Sequence, residues 1–115
     1  MENNIYLDHN ATTPLEPDVA ETMRPYIMEN ESYGNAGRPH WAGLGAKQAI
    51  KHARMVTSHL INAQPHEVIF TSGASESVNH AIKGVIFAYR NHSAKKHIVS
   101  SCIEHPCVSA SCQFA

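Results

Sequence analysis

The sequence predicts an α/β fold, present as the opening strands and helices of a larger domain. Three observations carry that reading. A β-branched and aromatic run (Val68, Ile69, Phe70, Thr71) meets a turn of small residues (Ser72, Gly73, Ala74, Ser75). An amphipathic stretch then follows, with Val78, Ile82, Val85, Ile86 and Tyr89 at helical spacing. A second buried-type run, His97-Ile98-Val99-Ser100, comes after it, and a helix-length crossover between two strands implies parallel pairing.

Each element can be justified in order. Ile5-Tyr6-Leu7 is a short apolar stretch, and the polar turn Asp8 to Pro14 follows it. Asp18 suits the N-cap of a helix through about Met28, whose face is Val19, Met23, Tyr26 and Ile27. Pro25 inside that pattern is expected to kink or shorten it. Tyr33 to Gly45 is rich in glycine and proline and reads as a long loop. A helix is expected from Ala46 to about Asn62, closed by Gln64-Pro65. Ala46, Ala49, Ile50, Ala53, Val56 and Leu60 form its apolar face, and Lys47, Lys51 and Arg54 its solvent side. The strand and helix described above occupy about Glu67 to Asn91, and a Ser-Ala-Lys-Lys linker precedes the second strand. Pro106 suits the first turn of a last helix.

That last pattern stops at Ala115 without a C-cap, and two strands are too few for a self-sufficient parallel sheet. The chain therefore reads as the first part of a larger protein. The division expected is an arm, helix and loop over residues 1–45, then the start of a large domain over 46–115.

Composition narrows the function classes. The chain has 115 residues and a net charge of −1, so nothing marks it as an electrostatic nucleic-acid binder. No apolar run is long enough to span a bilayer, and the N-terminus lacks the basic flank of a signal peptide. A cytoplasmic, reducing setting is the expectation. Cys102, Cys107 and Cys112, an odd and clustered set, fit it better than a disulfide framework does. Nine histidines raise the question of a metal. No pair has the i, i+4 spacing of a helical zinc site and no Cys-x-x-Cys occurs, so no metal site is expected.

The turn at Ser72–Ser75 carries the first functional signal. A strand, a small-residue turn and a helix start leave unpaired backbone N–H groups at a positive dipole end, a ready cradle for phosphate. Taken alone, the segment reads equally as an ordinary strand-to-helix connection.

Four segments in order decide between those readings. Tyr6-Leu-Asp-His-Asn-Ala-Thr-Thr-Pro-Leu-Glu-Pro17, Gly34-Asn35, Phe70-Thr-Ser-Gly-Ala-Ser-Glu-Ser77 and Ile103-Glu-His105 together resemble the N-terminal part of cysteine desulfurases and selenocysteine lyases. These are class V aminotransferase-group enzymes of the fold-type I pyridoxal-phosphate (PLP) class. The resemblance implies the N-terminal portion of a PLP-dependent transferase fold. It implies a cofactor-binding site in which Ala74 and Ser75 hold the PLP phosphate and His105 stacks on the cofactor ring, with an imidazole that can also move a proton. Asn10, Thr12 and Asn35 would lie near substrate, L-cysteine or L-selenocysteine, in an enzyme that yields L-alanine and passes on sulfur or releases selenium. Family members are homodimers, although an unpaired sheet in this chain predicts instability. Neither nucleic acid nor membrane is an expected partner.

The chain departs from the family at Ala36-Gly37-Arg38, where Pro-Ser-Ser is usual after Gly-Asn. Ala36 in place of a rigid proline predicts a looser loop. The resemblance also places the family's Schiff-base lysine, in a Ser-x-His-Lys context, and its persulfide cysteine beyond residue 115. Lys47, Lys51, Lys83, Lys95 and Lys96 lack that context, and the three cysteines read as small packing residues. Two alternatives stay open: a non-catalytic truncated product or interaction module, and another class V enzyme such as a carbon–sulfur lyase. In-frame sequence past Ala115 that encodes Ser-x-His-Lys would favour the enzyme.

Overall fold

The computed structural model describes residues 4–28, 32–91 and 97–114. Four helices make up its regular structure: α1 (Pro17–Met28), α2 (Trp41–Leu60), α3 (Ala74–Tyr89) and α4 (Pro106–Phe114). A 3₁₀ turn at Pro65–Glu67 lies between α2 and α3. The chain divides into two compact units, Met1–Val68 and Ile69–Ala115. The expected Ser-Ala-Lys-Lys linker, with Lys95 and Lys96, lies outside the described residues.

In the first unit α1 starts one residue before the expected cap. Pro17 takes the first helical position, where its missing N–H costs nothing, and the Glu16 carbonyl accepts the Ala20 N–H at 3.0 Å. Asp18 therefore sits in the first turn, as a favourable charge at the dipole's positive end rather than as the cap. Pro25 does not end the helix, which runs on to Met28.

The start of α2 corrects the loop expected over Tyr33–Gly45. The helix begins at Trp41 and includes Gly43 and Gly45. Here glycine serves close approach rather than breakage. Gly43 is buried, and a Cβ there would meet the Asn35 and Arg38 carbonyl oxygens. A Cβ on Gly34 would meet the Ala42 and Gly43 backbone. The first turn of α2 thus lies directly against the backbone of residues 34–38, a contact only hydrogen side chains permit.

Leu60 ends α2 in a Schellman motif. Asn62 adopts φ 54°, a left-handed conformation that asparagine tolerates well. Its N–H donates to the His59 carbonyl at 3.2 Å, and the Ala63 N–H donates to Ser58 at 2.8 Å. Glu67 then closes the 3₁₀ turn by accepting the Gln64 N–H at 2.7 Å. Arg54, expected on the solvent side, is half-buried and donates through Nε to the Val68 carbonyl at 3.1 Å. That bond fixes the end of the unit against α2.

In the second unit α4 packs on α3. Val78, Ile82 and Ile86, one stripe of α3, are half-buried, while Val85 and Tyr89 from the same predicted face stay exposed. Lys83 places its ammonium 4.1 Å from the centre of the Phe114 ring, a cation–π contact across the helix pair.

The expected strands form no ladder among the described residues. Residues 68–71 and 97–100 run without helix or sheet pairing, and Val68 has extended dihedrals (φ −92°, ψ 120°). Val68 and Thr71 are half-buried, but the other apolar side chains are open: Val99 is 95% exposed and Ile69 60%. β-propensity describes how a side chain fits a half-buried pleated surface, and it yields a strand only where a neighbour supplies the ladder. The same lack of cover extends to the helices. Among the described residues no apolar side chain is fully buried, and the two that are buried deepest, Ser58 and Ser111, are polar. Each satisfies its hydroxyl on its own helix, Ser58 on the Met55 carbonyl and Ser111 on the Cys107 carbonyl.

Candidate functional site

The start of α3 is built as the sequence suggests. Gly73 precedes the helix in an extended conformation with open space around it, and its carbonyl accepts the Ser77 N–H at 3.1 Å. The N–H groups of Ala74, Ser75 and Glu76, the first three helical positions, have no acceptor among the described residues. That follows from the geometry of any α-helix start. All three residues are exposed, and the 16-residue helix behind them aligns its dipole with its positive end here. The Ser75 hydroxyl is likewise uncommitted, while its carbonyl accepts the Asn79 side-chain amide at 2.8 Å. Three amides and a hydroxyl at one positive helix end can hold a dianion, and the site passes that test of fit for a phosphate.

Two side-chain ties flank this turn. The Glu76 carboxylate accepts the Ser72 N–H at 2.7 Å and the Ser72 hydroxyl at 2.6 Å. Thr71 Oγ1 donates to the Gly73 carbonyl at 3.2 Å and lies 2.7 Å from Ser77 Oγ. Sequence reasoning centred on the small residues passes over Glu76. The signal for it is an acidic residue three positions after the helix cap, ahead of an apolar run.

The Ser72 side-chain hydrogen bond, then its backbone one, holds the Glu76 carboxyl below the ordinary value of 4.5, with a smaller push from His80. The sign follows directly. A depressed folded pKa means that the unfolded chain binds more protons, so this tie contributes fully above the unfolded value and is lost as pH falls through the folded one. A pH titration of the Glu76 carboxyl carbon by NMR is expected to give a midpoint below 4.5. The Ser72 amide proton should move with the same midpoint.

His105 stands at the start of α4 and caps it. Its Nδ1 accepts the Cys107 N–H at 3.2 Å and lies 3.1 Å from the Cys107 sulfur, and its carbonyl accepts the Val108 N–H at 2.9 Å. An Nδ1 that accepts a backbone N–H leaves Nε2 as the ring nitrogen that carries a proton. The imidazole is exposed. His105 and the Ala74–Ser75 turn thus open two helices that pack on each other.

The remaining predicted residues lie in the first unit. Asn10 and Thr12 belong to a turn in which the Asp8 carbonyl accepts the N–H groups of Ala11 and Thr12. Tyr6 braces it, donating its hydroxyl to the Asp8 and Thr12 carbonyls and setting its ring edge-on to His9, 4.9 Å between centres. Both Asn10 and Thr12 side chains are exposed. Asn35 is partly committed: its Oδ1 accepts the Gly37 N–H at 2.8 Å, and its carbonyl accepts the Arg38 N–H at 3.0 Å. The loop expected to be loose without the family's proline is therefore tied by this Asx turn.

Comparison with known proteins bears out the family resemblance. The "Cysteine desulfurase IscS" of Shewanella loihica is 47% identical over 114 residues, which is 98% of this chain and 28% of that protein. The protein of the same description from Pseudomonas aeruginosa is 44% identical over 114 residues, again 98% and 28%. That of Azotobacter vinelandii is 47% identical over 109 residues, 94% and 26%. The chain spans just over a quarter of the length of the curated relatives it matches. No helix among the described residues is long and apolar enough to cross a membrane. The family described as "Aminotransferase class-V" matches residues 5–115, and the chain belongs to it.

Proposed function

We propose that this chain supplies the phosphate-holding, N-terminal part of a PLP-dependent cysteine desulfurase or selenocysteine lyase. The observation that carries the reading is the set of uncommitted donors at Ala74, Ser75 and Glu76. It occurs in a chain whose relatives, matched along nearly all of it, are described as cysteine desulfurases. PLP, when bound, supplies an electron sink for bond breaking at the substrate's α and β carbons. The chain's own residues bind and orient. Ala74 and Ser75 donate N–H groups, and Ser75 its hydroxyl, to the phosphate. His105 lies against the cofactor ring. Its Nδ1 is occupied by the Cys107 N–H, so Nε2 is the atom through which it holds or moves a proton.

Asn10, Thr12 and Asn35 line the approach of L-cysteine or L-selenocysteine in this reading, with Asn35 free to donate through its amide nitrogen because Oδ1 is taken. Residues 68–71 and 97–100 become parallel strands of an α/β sheet in the assembled enzyme. Residues 1–45 form the arm, first helix and loop, and 46–115 begin the cofactor-binding domain. The enzyme works as a cytoplasmic homodimer. By itself the 115-residue chain is catalytically inert, because none of its lysines has the Ser-x-His-Lys context.

Amide-resolved NMR titration of the chain tests the cradle. PLP is expected to shift the Ala74, Ser75 and Glu76 N–H signals, and pyridoxal without phosphate to leave them in place. Equal shifts with both, or none with PLP, would overturn the reading.

A further inference from the structure

The tie between Glu76 and Ser72 bears on which donors a phosphate can reach. A single carboxylate oxygen, Oε2, accepts both the Ser72 N–H and the Ser72 hydroxyl. Bonds to an ionised acceptor are among the stronger hydrogen bonds, and here two converge on one atom. Ser72 lies before the cap residue Gly73, whose carbonyl accepts the Ser77 N–H and beside which a Cβ would meet only open space. Besides that backbone bond, side chains hold the segment ahead of α3: Glu76 grips Ser72 on one side, and Thr71 grips Gly73 and Ser77 on the other. With both Ser72 donors spent on Glu76, the open donors of the turn include the three amides inside the helix and the Ser75 hydroxyl.

We propose that Glu76 is a positioning residue: its carboxylate holds Ser72 back over the first turn of α3 and confines an incoming phosphate to the Ala74, Ser75 and Glu76 amides. The inference rests on the cradle reading above. A rival account makes the carboxylate an internal anion that merely competes with phosphate for the same helix end. The geometry favours positioning, because the two anions use different donors: the carboxylate takes Ser72, outside the helix, and the phosphate takes amides inside it. Their mutual repulsion is screened, since Glu76 is fully open to solvent.

The test uses the full 115-residue chain, Glu76→Ala, Glu76→Gln and inorganic phosphate as the probe, followed by amide-resolved NMR. In the unmodified chain Ser72 N–H exchange is expected to be at least about tenfold slower than in Glu76→Ala, the scale on which a local hydrogen bond protects an amide. Phosphate should shift the signals of residues 74–76 and leave Ser72 unmoved. In Glu76→Ala phosphate should bind several-fold more weakly, with its shifts spreading to Ser72. Glu76→Gln keeps an acceptor oxygen without the charge, so it should restore most of the affinity. Ser72 exchange unaffected by the alanine change would overturn the proposal, as would tighter phosphate binding by both variants. Failure of the cradle reading has a separate signature: no phosphate response at residues 74–76 in the unmodified chain.

Discussion

Replacing Gly43 with alanine is expected to destabilise the first unit by about 1–3 kcal/mol, the usual cost of forcing an extra carbon into a packed site. Helix propensity alone predicts the opposite sign. Gly43 lies inside α2, and alanine there should gain about 1 kcal/mol over glycine. Sterics decide the matter. The added carbon would meet the Asn35 carbonyl oxygen, and it would stand 3.2 Å from the Arg38 carbonyl oxygen. These are backbone atoms, fixed by the Asx turn at Asn35, so they cannot swing aside as a flexible side-chain tip would. Gly84 in α3 supplies the internal control. A Cβ there would meet only the His80 ring, at an ordinary 3.7 Å, so Gly84→Ala should stabilise α3 by about 1 kcal/mol. Urea unfolding followed by far-UV circular dichroism should move in opposite directions for the two variants. Loss of stability in both, or gain in both, would remove the distinction drawn between a glycine used for contact and one that is merely tolerated.

That distinction also explains what the sequence made legible. Helical periodicity located α3 and α4 well: Pro106 starts α4, and the small-residue turn gives way to helix at Ala74. Both starts depend on local chemistry, a fixed φ at proline and a turn ahead of an amphipathic run, which a single sequence carries in full. The start of α2 was not legible, because Gly43 and Gly45 look like breakers until the residue 34–38 backbone is seen lying against them. The strands raise a different question, because composition reads them and no ladder forms among the described residues. Val68–Thr71 and His97–Ser100 have the right composition, but a ladder is a property of two segments, and neither finds its partner among the described residues. At the site, the donors of Ala74 and Ser75 follow from the helix start alone. The commitments of Glu76, of Asn35 Oδ1 and of His105 Nδ1 are non-periodic hydrogen bonds, which hydrophobic pattern does not encode.

No covalent lysine–PLP adduct, and no alanine from L-cysteine, is expected when this 115-residue chain is mixed with PLP. The positions of the three lysines among the described residues argue for this. Lys47 and Lys51 are exposed on α2 and lack the Ser-x-His-Lys context. Lys83 shares α3 with the cradle, but it stands eight residues beyond Ser75, about 12 Å up the helix at 1.5 Å per residue. It is also engaged, with its ammonium over the Phe114 ring. A lysine that reacts with a bound aldehyde must be held against it, and Lys83 is not so held in this arrangement. Borohydride reduction followed by peptide mass spectrometry reads the result directly. Uniform, low-level labelling of exposed lysines would be mere surface chemistry. A single dominant adduct, at Lys83 or any other position, together with cysteine turnover, would overturn the assignment of this chain as only the phosphate-holding part of the site. The complementary result carries equal weight. If phosphate shifts the amides of residues 74–76 while no lysine is trapped, phosphate binding and covalent capture are separable along the sequence. The cradle then belongs to the 28% of the relative's length that this chain matches.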